Sequence, residues 1–205
     1  MDLHSSTPSL NIHNHDASTD TTHPKYHWRL VVTIGLMVLL IVAAILVWLL
    51  YFRVNFSNQV AFSIKVGTGG PNTPTVTQYL NNVNTAAFVN TTKSTFVLKP
   101  ISGKSGPIQL GDRFTIYDPR TKTYLQKPPT TAPYQLTFGP NADQFYFSHC
   151  VQGKGCVEKP VSPIYVTKQY SIVNSGGHPL NVNSNLAMVS SNITDMTNFV
   201  WTIRK

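Results

Sequence analysis

Acidic residues are scarce: eight Asp and Glu stand against sixteen Lys and Arg, and all charged residues make up only 12% of the chain. With Thr, Asn, Ser, Val and Pro abundant, that composition suits a β domain with polar turns better than a helical bundle. Cysteine is limited to Cys150 and Cys156. Two thiols alone do not make a zinc site, even with His149 beside them, so no metal is expected. The hydrolase, metalloprotease, P-loop and dinucleotide signatures G-x-S-x-G, H-E-x-x-H, G-x-x-x-x-G-K-[S/T] and G-x-G-x-x-G are absent. Gly67-Thr68-Gly69-Gly70 has no helix after it to supply phosphate-binding amides. Ser171, His178 and Asp195 show no spacing that marks them as a triad. A non-enzymatic chain without cofactors is therefore expected. Basic, exposed aromatic runs are also missing, which argues against nucleic acid as a partner.

What the chain has instead is one long apolar run. Leu30–Phe52 reads LVVTIGLMVLLIVAAILVWLLYF, with Trp28 and Arg29 before it and Trp48, Tyr51 and Arg53 at its far end. At 1.5 Å per residue it extends roughly 35 Å, enough to cross a hydrocarbon core of about 30 Å. Aromatic rings and cations at both ends match headgroup layers. A run this long, with 29 polar residues before it and no small-residue cleavage site close behind, is a membrane anchor rather than a cleaved leader. The organisation read from sequence is a polar tail over 1–28, a transmembrane helix over 29–53 and a β-rich domain over 54–205. The tail holds five of the seven histidines (His4, His13, His15, His23 and His27) and no periodicity, so it reads as disordered. His13, His15 and Asp16 are read as solvated rather than chelating.

Charge is unevenly divided. Residues 1–29 carry Lys25 and Arg29 against Asp2, Asp16 and Asp20, whereas residues 53–205 carry 14 basic groups against five acids. The basic surface favours anionic partners. Lys and Arg near the two helix ends nearly balance, so orientation rests on other features. Three N-x-[S/T] sequons, at Asn55, Asn90 and Asn192, all follow the helix. Cys150 and Cys156, in HCVQGKGCV, are spaced to close a small disulfide across a Gly-containing turn. Both features favour a type II arrangement, with the C-terminal domain lumenal or extracellular.

After residue 53 the chain reads as short alternating runs broken by Gly, Pro and Asn: 61–66, 87–89, 95–99, 113–117, 135–138, 144–148, 164–166, 169–173, 186–189 and 198–204. The runs repeat. RFTIYDPRTKTYLQ, then YQLTF, then NADQFYFSHC parallels QYSIVNSGGHPLNV, then LAMVS, then NITDMTNFVWTIRK. Each opens on an aromatic-[T/S]-Ile strand (Phe114-Thr115-Ile116, Tyr170-Ser171-Ile172), followed two residues later by Asp118 or Asn174. A third copy opens with AFSIKV at Ala61 and closes with STFVLKP at Ser94. The copies span about 60–101, 112–150 and 168–204.

Three such copies resemble the β-trefoil, in which three four-stranded units surround a pseudo-threefold axis; a β-sandwich is the alternative, since it too has evenly spaced strands. The resemblance implies a core containing Ile64, Ile116, Ile172, Phe96, Phe145 and Phe199. It also implies binding of carbohydrate, acidic polysaccharide or protein partners. The Gln-x-Trp signature of the ricin-type branch is missing: the matching places read Gln144-Phe145-Tyr146 and Asn198-Phe199-Val200. The growth-factor-like branch binds sulphated glycans through clustered cations, and Arg113, Arg120, Lys122 and Lys127 are the matching candidates here. The expectation is a membrane-tethered β domain contacting other proteins in a structural layer, such as a surface coat or a viral envelope or capsid lining. Attachment to anionic glycans is the alternative.

Overall fold

A computed structural model describes residues 25–67, 75–128, 134–151, 155–157, 162–189 and 199–205. The histidines of the tail up to His23, the 68–70 part of the Gly-rich stretch, Asn192 and Asp195 lie outside the described residues. The chain divides into two compact units, Met1–Leu46 and Val47–Lys205.

The first unit contributes most of helix α1, Lys25–Phe52. It begins inside the stretch read as polar tail. Residues His27–Phe52 form one helix long and apolar enough to cross a membrane. Apolar side chains surround it with no polar stripe, and those from Leu30 to Leu46 stand exposed. Such a surface has no soluble partner to bury against.

The second unit is β-rich. Its strands are β1 (Gln59–Gly67), β2 (Thr75–Val83), β3 (Ala86–Asn90), β4 (Phe96–Pro100), β5 (Phe114–Asp118), β6 (Thr123–Gln126), β7 (Tyr134–Gln135), β8 (Thr137–Gly139), β9 (Phe145–Val151), β10 (Gly155–Val157), β11 (Gln169–Asn174), β12 (Leu180–Asn183), β13 (Leu186–Val189) and β14 (Trp201–Arg204). They join in a single antiparallel sheet that closes on itself, whereas a sandwich requires two open sheets face to face. One closed circuit takes in nine strands, β1–β2–β3–β8–β6–β5–β9–β11–β14. Strand β4 pairs with both β1 and β5 and closes a tighter ring, β1–β4–β5–β9–β11–β14. Opening and closing strands of the three sequence copies alternate around that ring.

Side-chain alternation fills the interior. Phe199, Trp201 and Ile203 are buried, while Val200 and Arg204 between and beside them are exposed. Ile64, Ile116, Ile172, Phe96, Phe145 and Phe199 are all buried. The opening strands are buried on both faces, because Ser63, Thr115 and Ser171 at the middle of each aromatic-[T/S]-Ile triplet are covered as well. Phe147 sits among Phe62 (6.3 Å), Phe114 (4.7 Å) and Tyr170 (5.8 Å), one ring from each copy. Two hairpins turn at paired positive-φ residues, Asn84-Thr85 between β2 and β3 and Ser184-Asn185 between β12 and β13. Left-handed conformation at both central positions is the type I′ geometry that matches strand twist, and Asn tolerates it.

Three sets of backbone bonds relate the copies and the segments that lead into them. At one end of the barrel, Val54 donates to Ile164 (2.9 Å), Ile164 to Ile108 (2.8 Å) and Ile108 to Val54 (2.8 Å), a closed cycle of three. A second set surrounds it: Phe56 to Gly106, Leu110 to Ser162 and Val166 to Phe52. These segments form a collar. Within the hairpins, Ala87 donates to Leu136 and Leu136 to Ala187, again one residue per copy. The run 164–166, read from sequence as a strand, belongs to the collar, where its pairings are isolated bridges.

Candidate functional site

Four places concentrate polar or aromatic chemistry. The first is Asp118, the last residue of β5. It is fully buried, and Arg120 grips it with both Nε (to Oδ1, 3.1 Å) and NH2 (to Oδ2, 3.0 Å). The Arg120 amide donates to Oδ1 (3.0 Å) and Asn82 Nδ2 to Oδ2 (3.2 Å). Burial alone pushes this carboxyl up, but the hydrogen bonds from Arg120 and Asn82 and the guanidinium charge outweigh it and hold Asp118 below the ordinary carboxylate range. Asn174 holds the matching position on β11. Its Oδ1 accepts from the amides of Gly176 (3.0 Å) and His178 (2.9 Å), and its Nδ2 donates to the Tyr134 hydroxyl (3.0 Å). The repeated Asp/Asn therefore caps the turn after each of these two opening strands, a local competition with the ladder that short polar side chains win.

The four candidate anion-binding cations do not form one site. Arg113 precedes β5 and Lys127 follows β6, while Arg120 and Lys122 lie in the turn joining those strands. A five-residue strand separates the two ends by roughly 15 Å. Arg113 reaches Gln144 (3.5 Å), Arg120 is engaged by Asp118, and exposed Lys122 has positive φ in the turn. Sequence proximity overstated their convergence because a hairpin spreads neighbouring residues along its length.

On the outer wall of β4, β5 and β6, the Lys99 ammonium lies 3.5 Å from the Tyr117 ring centroid and donates to the Tyr124 hydroxyl (3.0 Å). The two rings are 4.9 Å apart. Alternation along β5 and β6 signals this pairing of tyrosines, but the register that brings Lys99 across from β4 is not visible in the sequence.

Cys150 and Cys156 face each other across β9 and β10 and are disulfide-bonded. Strand β10 pairs with β9 alone. From loop-closure entropy for a separation of six residues, replacing both cysteines by serine is expected to cost roughly 2 kcal/mol. Urea unfolding with and without reductant measures it, and equal midpoints would show that the bridge contributes nothing. The described sequon asparagines are both half-buried. Asn55 lies in the collar with Oδ1 buried and unpartnered. Asn90 Oδ1 accepts from Asn81 Nδ2 (2.6 Å) and the Thr92 amide (2.9 Å).

The fourth place is where α1 runs into the barrel. Within the β unit, the Phe52 carbonyl accepts from the Val166 amide (2.9 Å), Arg53 bridges to Tyr165, and Trp48 stacks on Tyr165 at 6.1 Å. Lys205 Nζ donates to the Tyr51 carbonyl and stands 5.2 Å from the centre of its ring. No linker intervenes between helix and collar. No protein-family model and no curated protein matches this chain.

Proposed function

We propose that this chain is a non-enzymatic, single-pass membrane protein that displays a β-trefoil for contact with other proteins in a structural layer. The trefoil reading is supported by the ring in which opening and closing strands of three copies alternate, and by hydrogen bonds that relate those copies at the collar and among the hairpins. The observation that carries the function is the linkerless junction: the residue ending an apolar, membrane-length helix is itself hydrogen-bonded into the barrel collar. A domain joined directly to its anchor stays close to the membrane surface, which suits assembly there better than capture of a distant ligand. The Cys150–Cys156 bridge and the sequons following the helix support a lumenal or extracellular domain, and hence a type II glycoprotein of a cell surface or virion.

Expression in microsomes tests the arrangement. The expected result is a chain resistant to carbonate extraction, with residues 53–205 protected from protease and a mass shift with endoglycosidase. A protease-exposed, unglycosylated domain would reverse the orientation. The glycan alternative draws on the excess of cations over acids in residues 53–205. Attachment predicts salt-dependent retention on heparin that weakens when Arg120 and Lys122 become Ala, whereas a structural layer predicts stoichiometric co-purification indifferent to heparin.

A further inference from the structure

Resting on the anchor reading above, we infer that the collar end of the barrel is a seat for anionic phospholipid headgroups, with Arg53 and Lys205 as the cations that meet their phosphates. The apolar run ends at Phe52, so Tyr51 marks the outer limit of the hydrocarbon, and the headgroup layer occupies the next several ångströms. Lys205 is brought to that level from the other end of the β domain by its bond to the Tyr51 carbonyl. There it also faces the negative end of the helix dipole, which favours a cation. Its main-chain oxygen accepts from Lys93 Nζ (2.8 Å), which fixes the end of β14 in place. Arg53 is the first residue past the apolar run. Its Nε is buried without a hydrogen-bond partner.

Among the described residues no Asp or Glu side chain pairs with this group. The two ion pairs among the described residues are Lys104–Asp112 and Arg120–Asp118, so Arg53, Lys93 and Lys205 have no acidic partner there. Trp48, Tyr51 and Tyr165 surround the same place, amphipathic rings of the kind that occupy a membrane interface. Cations without an Asp or Glu partner among the described residues, interfacial aromatics and continuity with the anchor together define a surface complementary to anionic phospholipid.

The test uses the full chain in vesicles, with Trp28→Phe introduced so that Trp48 is the quenchable indole; Trp201 is fully buried in the barrel. Quenching by brominated phosphatidylglycerol is compared with quenching by brominated phosphatidylcholine. One cation at the surface favours an anionic lipid about five-fold, so an apparent binding ratio of about five or more is expected. The ratio should fall to near one in Arg53→Gln/Lys205→Gln, and in 0.5 M NaCl for the unaltered collar. It should persist in Lys65→Gln/Lys99→Gln, which removes two cations elsewhere. A ratio near one with the native collar overturns the inference, as does an equal loss in the control variant. Carbonate extraction of the chain would instead remove the anchor reading, and this inference with it. A chain that resists extraction but shows no lipid preference defeats the inference alone.

Discussion

Replacing Phe147 by Ala is expected to cost the barrel about 3–5 kcal/mol, the range for deleting a fully buried aromatic ring. The position is unusual in touching one aromatic from each copy, Phe62, Phe114 and Tyr170, and through Phe62 it joins a further stack of Phe96 and Phe138. Interiors packed to crystal-like density relax little around a lost ring, and here three walls would have to move together to close the void. Phe147→Leu keeps much of the volume and should cost about 1.5 kcal/mol or less. Urea unfolding of the detergent-solubilised chain, followed by the fluorescence of buried Trp201, gives both numbers. A loss under about 1 kcal/mol for the alanine variant would mean that the aromatic cluster does not pack as described.

Loss of Asp118 ranks next. Asp118→Ala strands the Arg120 amide, takes one acceptor from the Asn82 side-chain amide, which keeps Thr121 and Thr123, and leaves a half-exposed guanidinium without its counter-charge, at an expected cost of about 2–4 kcal/mol. The same contacts make stability depend on pH. Because the folded carboxyl is held below its unfolded value, its contribution is complete above the ordinary carboxylate range. It is then lost as pH falls through the depressed folded value. The native chain should therefore lose melting temperature between pH 5 and pH 2, an acid region flagged by ~3.9 for an unperturbed Asp. Asp118→Asn, already weaker at pH 7, should lose less over that interval. Parallel melting curves for the two proteins would show that Asp118 does not titrate as its contacts require.

Much of this architecture was legible beforehand, and the reasons differ by element. Strands β1, β5 and β11 announced themselves through the aromatic-[T/S]-Ile triplet, because their inward residues recur where three equivalent walls need them. Strand β14 was legible from strict alternation over 199–204. Strand β2 was not: in TVTQYLNNV the described burial falls on adjacent Leu80 and Asn81 rather than alternating, so periodicity is lost. Strands β6, β10 and β12 were not read either: each is short and carries few apolar residues or opens on a glycine, so no run stands out. The Asp118 and Asn174 pattern was visible as repetition, but its capping role emerges only when the turn is folded. The contact between Lys205 and Tyr51 spans 154 positions, and nothing local records it.

The cyclic bond set of the collar also constrains how the protein is made. Its members sit at Val54, Ile108 and Ile164, so the cycle cannot close until the chain has been synthesised well past the anchor. Those 110 residues take on the order of ten seconds at usual elongation rates. Throughout that interval the first copy's β1 lacks its partner β14, whereas β5 arrives part-way to pair with β4. On the anchor reading proposed above, the nascent domain waits with open strand edges beside the bilayer that already holds its helix. Loop-closure entropy rises only slowly with length, so the long connection from β1 to β14 adds little to the cost of closing the barrel within one chain.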